Sequence, residues 1–335
     1  MCEKVRKSSK TNEKSYQRNW QNTQLGDQIR DGHSRRHTSF TVMSYNVLSD
    51  DLMKRHKELY SQSSDLLDWE KRWRKIIKEI ERHNPDILCF QEVQCDHYET
   101  DFIPDLGSRN FVGLYKKRTG DKDDGCAIFY KKDKFILEDF AGVEYHQPYT
   151  KSLNRDNIGL ITKFRPVKSN HKDNKRGNKN ENGEVQHNCD TFVVATTHLL
   201  YNPKRDDVRL AQIALLFAEL DHFAYKTEKD LKFRPPRSNQ EYYYPCIITG
   251  DFNLNPSSPI YDFVNDGHID YRTSTSARSM PLIPLSLGVT DSCQHLNVIL
   301  SRCQSLLPNS HVNIKKSIRT YNGRTEVIFS HEWLR

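Results

Sequence analysis

The sequence predicts one α/β or α+β domain of catalytic size behind a basic tail, and three observations carry that reading. Short apolar runs rich in Val, Ile and Phe recur between residues 40 and 253, as strands do. Helical patterns are set between them, with no internal repeat. Polar residues gather in loops and at the N-terminus, so a 335-residue chain that is only 36% hydrophobic can still build a core.

Residues 1–37 lack any hydrophobic period and read as a disordered tail, leaving 38–335 as the domain. FTVMSYNVL (40–48) is strand-like. Trp69, Trp73, Ile76, Ile77 and Ile80 have helical spacing, opened by Asp68 as N-cap and closed by Asn84-Pro85. DILCFQEV (86–93) follows as a buried strand, then CAIFY (126–130), IGLITKF (158–164) and TFVVATTHL (191–199). Residues 170–188 read as a low-complexity loop insertion. LAQIALLFAEL (210–220) belongs to a second amphipathic helix. PCIITGDFN (245–253) is a buried strand breaking at a polar turn, and Ser258-Pro259 starts a third helix.

Charge excludes little. Of the net +7, the first 37 residues hold nine Lys/Arg against four Asp/Glu, or +5, so the rest is only +2. A basic tail lends RNA salt-dependent, sequence-blind affinity. More often such a terminus is a solvated chain, and that is the reading adopted. No run approaches the ~20 apolar residues of a membrane helix. The first residues have no apolar signal segment, and Glu3 and Glu13 argue against a transit peptide. A soluble protein with no membrane partner is expected, cytoplasmic and also nuclear. The eight cysteines include no CxxC pair, and most sit in apolar runs such as DILCF and PCIIT, as buried free thiols do. Neither disulfides nor a zinc site is indicated.

The chemistry lies where the strands end. Asn46 follows VMSY, Glu92 follows ILCFQ, His198 follows VVATT, and Asp251 with Asn253 follows CIITG. Alone, each marks an ordinary strand exit; five in this order point to one site. Glu92 and Asp251 are hard oxygen donors with amide companions and no thiolate, which selects Mg²⁺ or Mn²⁺ over zinc. A sparse carboxylate site leaves room for water and a phosphate oxygen, as phosphoester hydrolysis needs. His198 and the asparagines supply hydrogen bonds to charge building on phosphorus. Gly120 and Gly125 have P-loop spacing, but Cys126-Ala127 follows instead of Lys-Ser/Thr, and no GxSxG elbow occurs.

SYNVL (44–48), FQEV (90–93), RDNIGLI (155–161), TTHLLYNP (196–203) and GDFN (250–253) resemble the endonuclease/exonuclease/phosphatase superfamily. Within it the chain is similar to the deadenylase-like branch with Nocturnin, and most of all to the Angel family, over residues 38–270. The resemblance implies a DNase I-like two-sheet α/β sandwich and Mg²⁺-dependent hydrolysis of phosphate esters at RNA 3′ ends. It makes Glu92 the main metal ligand, supported by Asn46. Asp251 orients or deprotonates the attacking water, Asn253 and His198 bind the scissile phosphate, and Asn157 lines the site. Removal of 3′ nucleotides and hydrolysis of a 2′,3′-cyclic phosphate stay equally open.

The match breaks near the C-terminus. Family members carry a later strand with an aspartate and then Ser-Asp-His, and neither motif occurs here. Asp270 in HIDY (268–271) and His331 after Ser330 are weak stand-ins, His331 reading as a terminal, solvent-facing residue. The expectation is a domain cut short, lacking its last strands and of reduced activity. The alternative is a non-catalytic RNA- or translation-factor-binding pseudoenzyme. Against it, Glu92, Asp251 and Asn253 all survive, and no Tyr-x4-Leu-hydrophobic motif occurs.

Overall fold

The computed structural model describes residues 20–23, 26–27, 39–60, 67–147, 153–167, 191–226, 243–266, 314–321 and 324–331. The chain divides into two compact units, Met1–Ser39 and Phe40–Arg335. Within the first, Thr23 caps a short turn, its hydroxyl accepting from the Gly26 N–H at 3.1 Å. The 170–188 insertion and Asp270 lie outside the described residues, as does most of the basic tail.

Two four-stranded mixed sheets make the second unit an α/β sandwich. The first contains β1 (Val42–Asn46), β2 (Ile87–Gln94), β3 (Phe111–Lys117) and β4 (Asp124–Lys131), in the order β1-β2-β4-β3. The second contains β5 (Phe135–Glu144), β6 (Ile158–Pro166), β7 (Phe192–His198) and β8 (Cys246–Asp251), in sequence order. Each sheet has one parallel pair, β1 with β2 and β7 with β8. A parallel pair needs a crossover. Helix α2 (Trp69–His83), which follows the short α1 (Asp50–Arg55), supplies the first. Two more short helices, α3 (Cys95–His97) and α4 (Ile103–Gly107), flank a π-helical turn at Tyr98–Phe102. Helix α5 (Asp206–Ala224) makes the second crossover, and α6 (Pro259–Asp266) follows β8. Beyond it, β9 (Ile314–Tyr321) and β10 (Arg324–His331) pair as a separate hairpin, His331 opposite Ile314.

Alternation along the strands sorts the core into layers. Leu88 and Phe90 of β2 face α2, packing with Trp73, Ile76 and Ile80, while Ile87 and Cys89 face the other sheet, against Leu160, Phe164 and Val194. Val193 and Ala195 of β7 turn to α5 and α6, among Leu210, Ala214 and Phe263. With both faces covered, β2 and β7 read as continuous apolar runs. Asp68 caps α2 as its sequence predicts, accepting from the Lys71 N–H at 3.1 Å, and Asn84 closes it in the left-handed region. Ser258 caps α6, its hydroxyl accepting from the Ile260 N–H at 3.3 Å.

Three expectations are corrected. Helix α5 is not amphipathic: Val208 to Leu216 are buried without a break, Arg209 and Gln212 included. It is enclosed by sheet, α6 and the loop before it, as a helix apolar on all sides must be. Strand β8 is half-buried because it forms the edge of its sheet, and Cys246 there is exposed. Among the described residues Cys89 and Cys126 are the buried thiols, and burial pushes Cys89 up to about 12. Strands β3 and β5 escape the apolar-run criterion because each is an edge strand with exposed positions. No described helix is long and apolar enough to cross a membrane.

Asp86 ties the two sheets' starting ends. Its carboxylate accepts from the Thr41 N–H (3.0 Å), Lys131 (3.2 Å) and Lys134 (2.7 Å). Burial works to raise this carboxyl, but bonds from Lys134, Thr41 and Lys131 outweigh it and hold it below the usual range. A depressed folded value contributes stability above the unfolded value, lost as pH falls through the folded one. Asp86→Asn should therefore cost about 2 kcal/mol at pH 7 and flatten the acid limb of stability below about pH 4. Urea melts of both proteins between pH 7 and 3 check this; parallel curves would refute it.

Candidate active site

The strand registers bring the predicted residues together. Asn46 lies opposite Gln91, and His198 lies between Ile158 and Asp251. All these positions are at the carboxyl ends of the two parallel pairs, where open α/β sheets form their ligand crevices. The Asn46 amide nitrogen donates to Glu92 Oε1 at 2.9 Å and to Asp251 Oδ2 at 2.9 Å. Its Oδ1 accepts from the Leu48 N–H at 2.9 Å, which fixes which end of the amide faces the carboxylates. His198 Nε2 stands 4.0 Å from Glu92 Oε1 and 3.8 Å from Asp251 Oδ2. Its buried Nδ1 has no partner among the described residues.

Backbone strain concentrates here. Of five non-glycine residues with positive φ among the described residues, Leu48 (59°), Glu92 (58°) and Asn253 (49°) belong to this site. Glu92 sits in a β-bulge, where Gln91 and Glu92 oppose the single Cys126 between the pairs Phe90–Ala127 and Val93–Gly125. The bulge re-aims the glutamate toward the strand end. Such conformations cost about 1–3 kcal/mol each and persist where the surroundings overdetermine them. Here the Ser49 N–H holds Glu92 Oε2 at 3.0 Å, and the Asn253 N–H holds Asp251 Oδ1 at 3.0 Å.

Two predicted residues also hold the backbone around His198. Asn157 is buried behind the site: its amide donates to the His198 carbonyl (3.0 Å) and accepts from Gln212 (3.2 Å). It positions His198 from behind. Asn253 faces the site but gives one N–H to the Leu199 carbonyl at 3.0 Å. Beside Asn157, Asp156 accepts from Thr119 (2.7 Å) and His146 (3.0 Å). Burial would raise its carboxyl, but those bonds leave it below the usual range.

Sequence reasoning missed the supports. Arg72 donates to the Val47 and Leu48 carbonyls at 2.9 and 2.8 Å, clamping the turn that carries Asn46. Burial lowers its guanidinium pKa, with Asp50 and Glu92 pulling back. Buried Gln91 crosses between sheets to Thr196 Oγ1 at 2.9 Å, beneath the site. Ser49 and Gln94 share a bond at 3.4 Å and anchor α1. Each sits in a motif already singled out, one residue past it, or one helical turn into α2, yet residue type alone gives no signal of its partner.

A model of the endonuclease/exonuclease/phosphatase family matches residues 43–285. The chain belongs to this family. Among its relatives, Drosophila melanogaster protein angel is 34% identical over 89% of this chain and 76% of its own length. Rat protein angel homolog 1 is 38% identical over 77% of this chain, which spans only 38% of that relative's length. The crystal structure of ANGEL2, a 2′,3′-cyclic phosphatase, in complex with adenosine-2′,3′-vanadate matches with TM-score 0.61 and 35% identity, over 76% of this chain and 73% of that one. The fold is thus the DNase I-like sandwich of this family of hydrolases, in its Angel branch.

The donor set fits a hard divalent cation. Two carboxylates from different sheets meet at one neutral amide, and each of their bonded oxygens keeps a lone pair. That concentration of negative charge invites a cation. Among the described residues no three His, Cys, Asp or Glu side chains form a ready cage. Mg²⁺ takes one or two carboxylates and completes its shell with water and phosphate.

Gly250 fixes Asp251 beside His198. Its φ is +141°, and an added Cβ would lie 2.2 Å from the Thr197 carbonyl oxygen. Gly250→Ala should cost about 2–5 kcal/mol, from backbone strain and overpacking together. A chemical melt reads this directly; a loss under 1 kcal/mol would contradict it.

Proposed function

We propose that this chain hydrolyses phosphate esters at RNA 3′ ends, with Mg²⁺ or Mn²⁺ bound through Glu92 and Asn46 orienting the carboxylates. The observation that carries the reading is the meeting of Glu92, Asp251, Asn46, His198 and Asn253 at one strained strand-end site. RNA as substrate is supported by the similarity to ANGEL2, a 2′,3′-cyclic phosphatase whose structure holds an adenosine vanadate. That relative also favours a terminal 2′,3′-cyclic phosphate over a 3′-terminal nucleotide as the group attacked.

Bound there, the cation would neutralise phosphoryl charge and lower the pKa of a water. Asp251 is the group to take the proton from the attacking water: its side chain is 32% exposed against 13% for Glu92. Asn253 N–H and Asn46 each hold one of its oxygens, so the lone pair that receives the proton is aimed before substrate arrives. His198 Nε2 supplies a hydrogen bond to charge developing on phosphorus. The Asn157 bond to its carbonyl and the β6–β7–β8 register hold it there. Asn253 retains a second amide N–H for a phosphate oxygen.

Initial rates with Mg²⁺ on an oligoribonucleotide ending in 2′,3′-cyclic phosphate, and on oligo(A), test the reading. Turnover abolished by EDTA is expected, and no turnover on either would favour a binding protein. Asp251→Asn should lower kcat about 10²–10⁴-fold with KM little changed; a variant within threefold of wild type would remove Asp251 as the base. Glu92→Gln keeps the shape and removes one charge, so Mn²⁺ affinity by calorimetry should fall at least tenfold. Equal affinities would rule out Glu92 as the ligand.

A further inference from the structure

We propose that Tyr201 is a stacking platform for the nucleobase next to the scissile phosphate, presented on a loop preset for that purpose; the proposal rests on the RNA reading above. Tyr201 is 75% exposed, the most exposed large hydrophobic side chain described in the unit from Phe40 onward. It lies three residues past His198, a chain reach of at most about 11 Å. Neighbouring Asn202, Pro203 and Lys204 are exposed too.

A loop so exposed would ordinarily be loose, but this one is bolted down from beneath. Arg209 on α5, 3% exposed, donates to the carbonyls of Leu200 (3.1 Å), Asn202 (2.6 Å) and Pro203 (3.1 Å), and pairs with Asp206. Gln212, fully buried, accepts from the Leu200 N–H at 3.0 Å. The same Gln212 donates to Asn157, which holds the His198 carbonyl, and Asn253 holds the Leu199 carbonyl. One buried network therefore holds both the His198 backbone and the loop three residues beyond it.

A buried guanidinium and two buried amides are tolerated under this solvent-facing loop because the loop's own carbonyls and N–H satisfy them, and the same bonds fix the loop's backbone. What the loop offers is an exposed aromatic side chain on a fixed backbone, three residues from His198. Aromatic faces stack any nucleobase, whereas the site itself contacts phosphate and carries no base information. Tyr201 accordingly governs substrate affinity and preference for a base-bearing terminus, and takes no part in bond breaking.

The test uses the full 335-residue chain and two oligoribonucleotides ending in 2′,3′-cyclic phosphate, one with a terminal adenine and one abasic at that ribose. Tyr201→Ala should raise KM for the adenine substrate about tenfold with kcat within twofold, and leave the abasic substrate unchanged. Tyr201→Phe should behave as wild type. Binding of both oligomers in EDTA, read by anisotropy, decides the point even without turnover: wild type should prefer adenine, and Tyr201→Ala should erase the preference. An unchanged KM and preference in Tyr201→Ala, or equal losses on both oligomers, would overturn the platform. A wild-type chain that binds both oligomers equally would overturn it too. Failure of wild type to turn over either oligomer, with its adenine preference intact, would overturn the hydrolase reading alone. Melting temperatures should agree throughout, since Tyr201 is exposed.

Discussion

One amide holds two sheets to one site. Asn46, on the first sheet, donates to Glu92 on its own sheet and to Asp251 on the other, 205 positions along the chain. Two carboxylates this close repel, and the group between them must donate twice without adding charge. A side-chain amide is the smallest neutral group that does so. Aspartate here would add a third negative charge and donate nothing. The bond also explains why the amide cannot rotate: the Leu48 N–H claims its oxygen.

From that constraint the surrounding strain follows. Leu48 takes a left-handed conformation to bring its N–H back to Asn46, and Arg72 holds the turn by two carbonyls. Glu92 leaves the regular ladder through a bulge so that one oxygen meets Asn46 and the other meets the Ser49 N–H. Asn253 turns left-handed so that its N–H reaches Asp251. Regular strands on either side absorb these local costs. Locally broken rules inside an otherwise consistent fold are the mark of a functional site.

Behind the site, polar residues do work that apolar ones cannot. Gln91 and Thr196 bond between the sheets in an otherwise apolar interior, and Asn157 and Gln212 link β6, β7 and α5. Left unpaired, each would cost about 1–3 kcal/mol, so the network admits one arrangement of the strand ends. The geometry of the strand-end site is thereby set before any ligand binds.

The sequence by itself determined the strands covered on both faces, because a strand buried twice is apolar at every position. It determined the caps of α2 and α6, because Asp68 and Ser258 act within three residues of themselves. It also singled out residues that the fold brings together, because Glu92, His198 and Asp251 interrupt apolar runs where nothing in the core wants them. Tertiary structure alone decided the rest. Edge strands β3 and β5 carry too little apolar pattern to be read locally, and α5 becomes buried all round only once a sheet, a helix and a loop enclose it. Asn157 shows the limit most clearly. Its motif marks it for the site, but whether its amide faces a ligand or the back of His198 depends on Gln212, 55 positions away. Hydrogen-bond direction is a property of neighbours in space, and residue type carries only the capacity to bond.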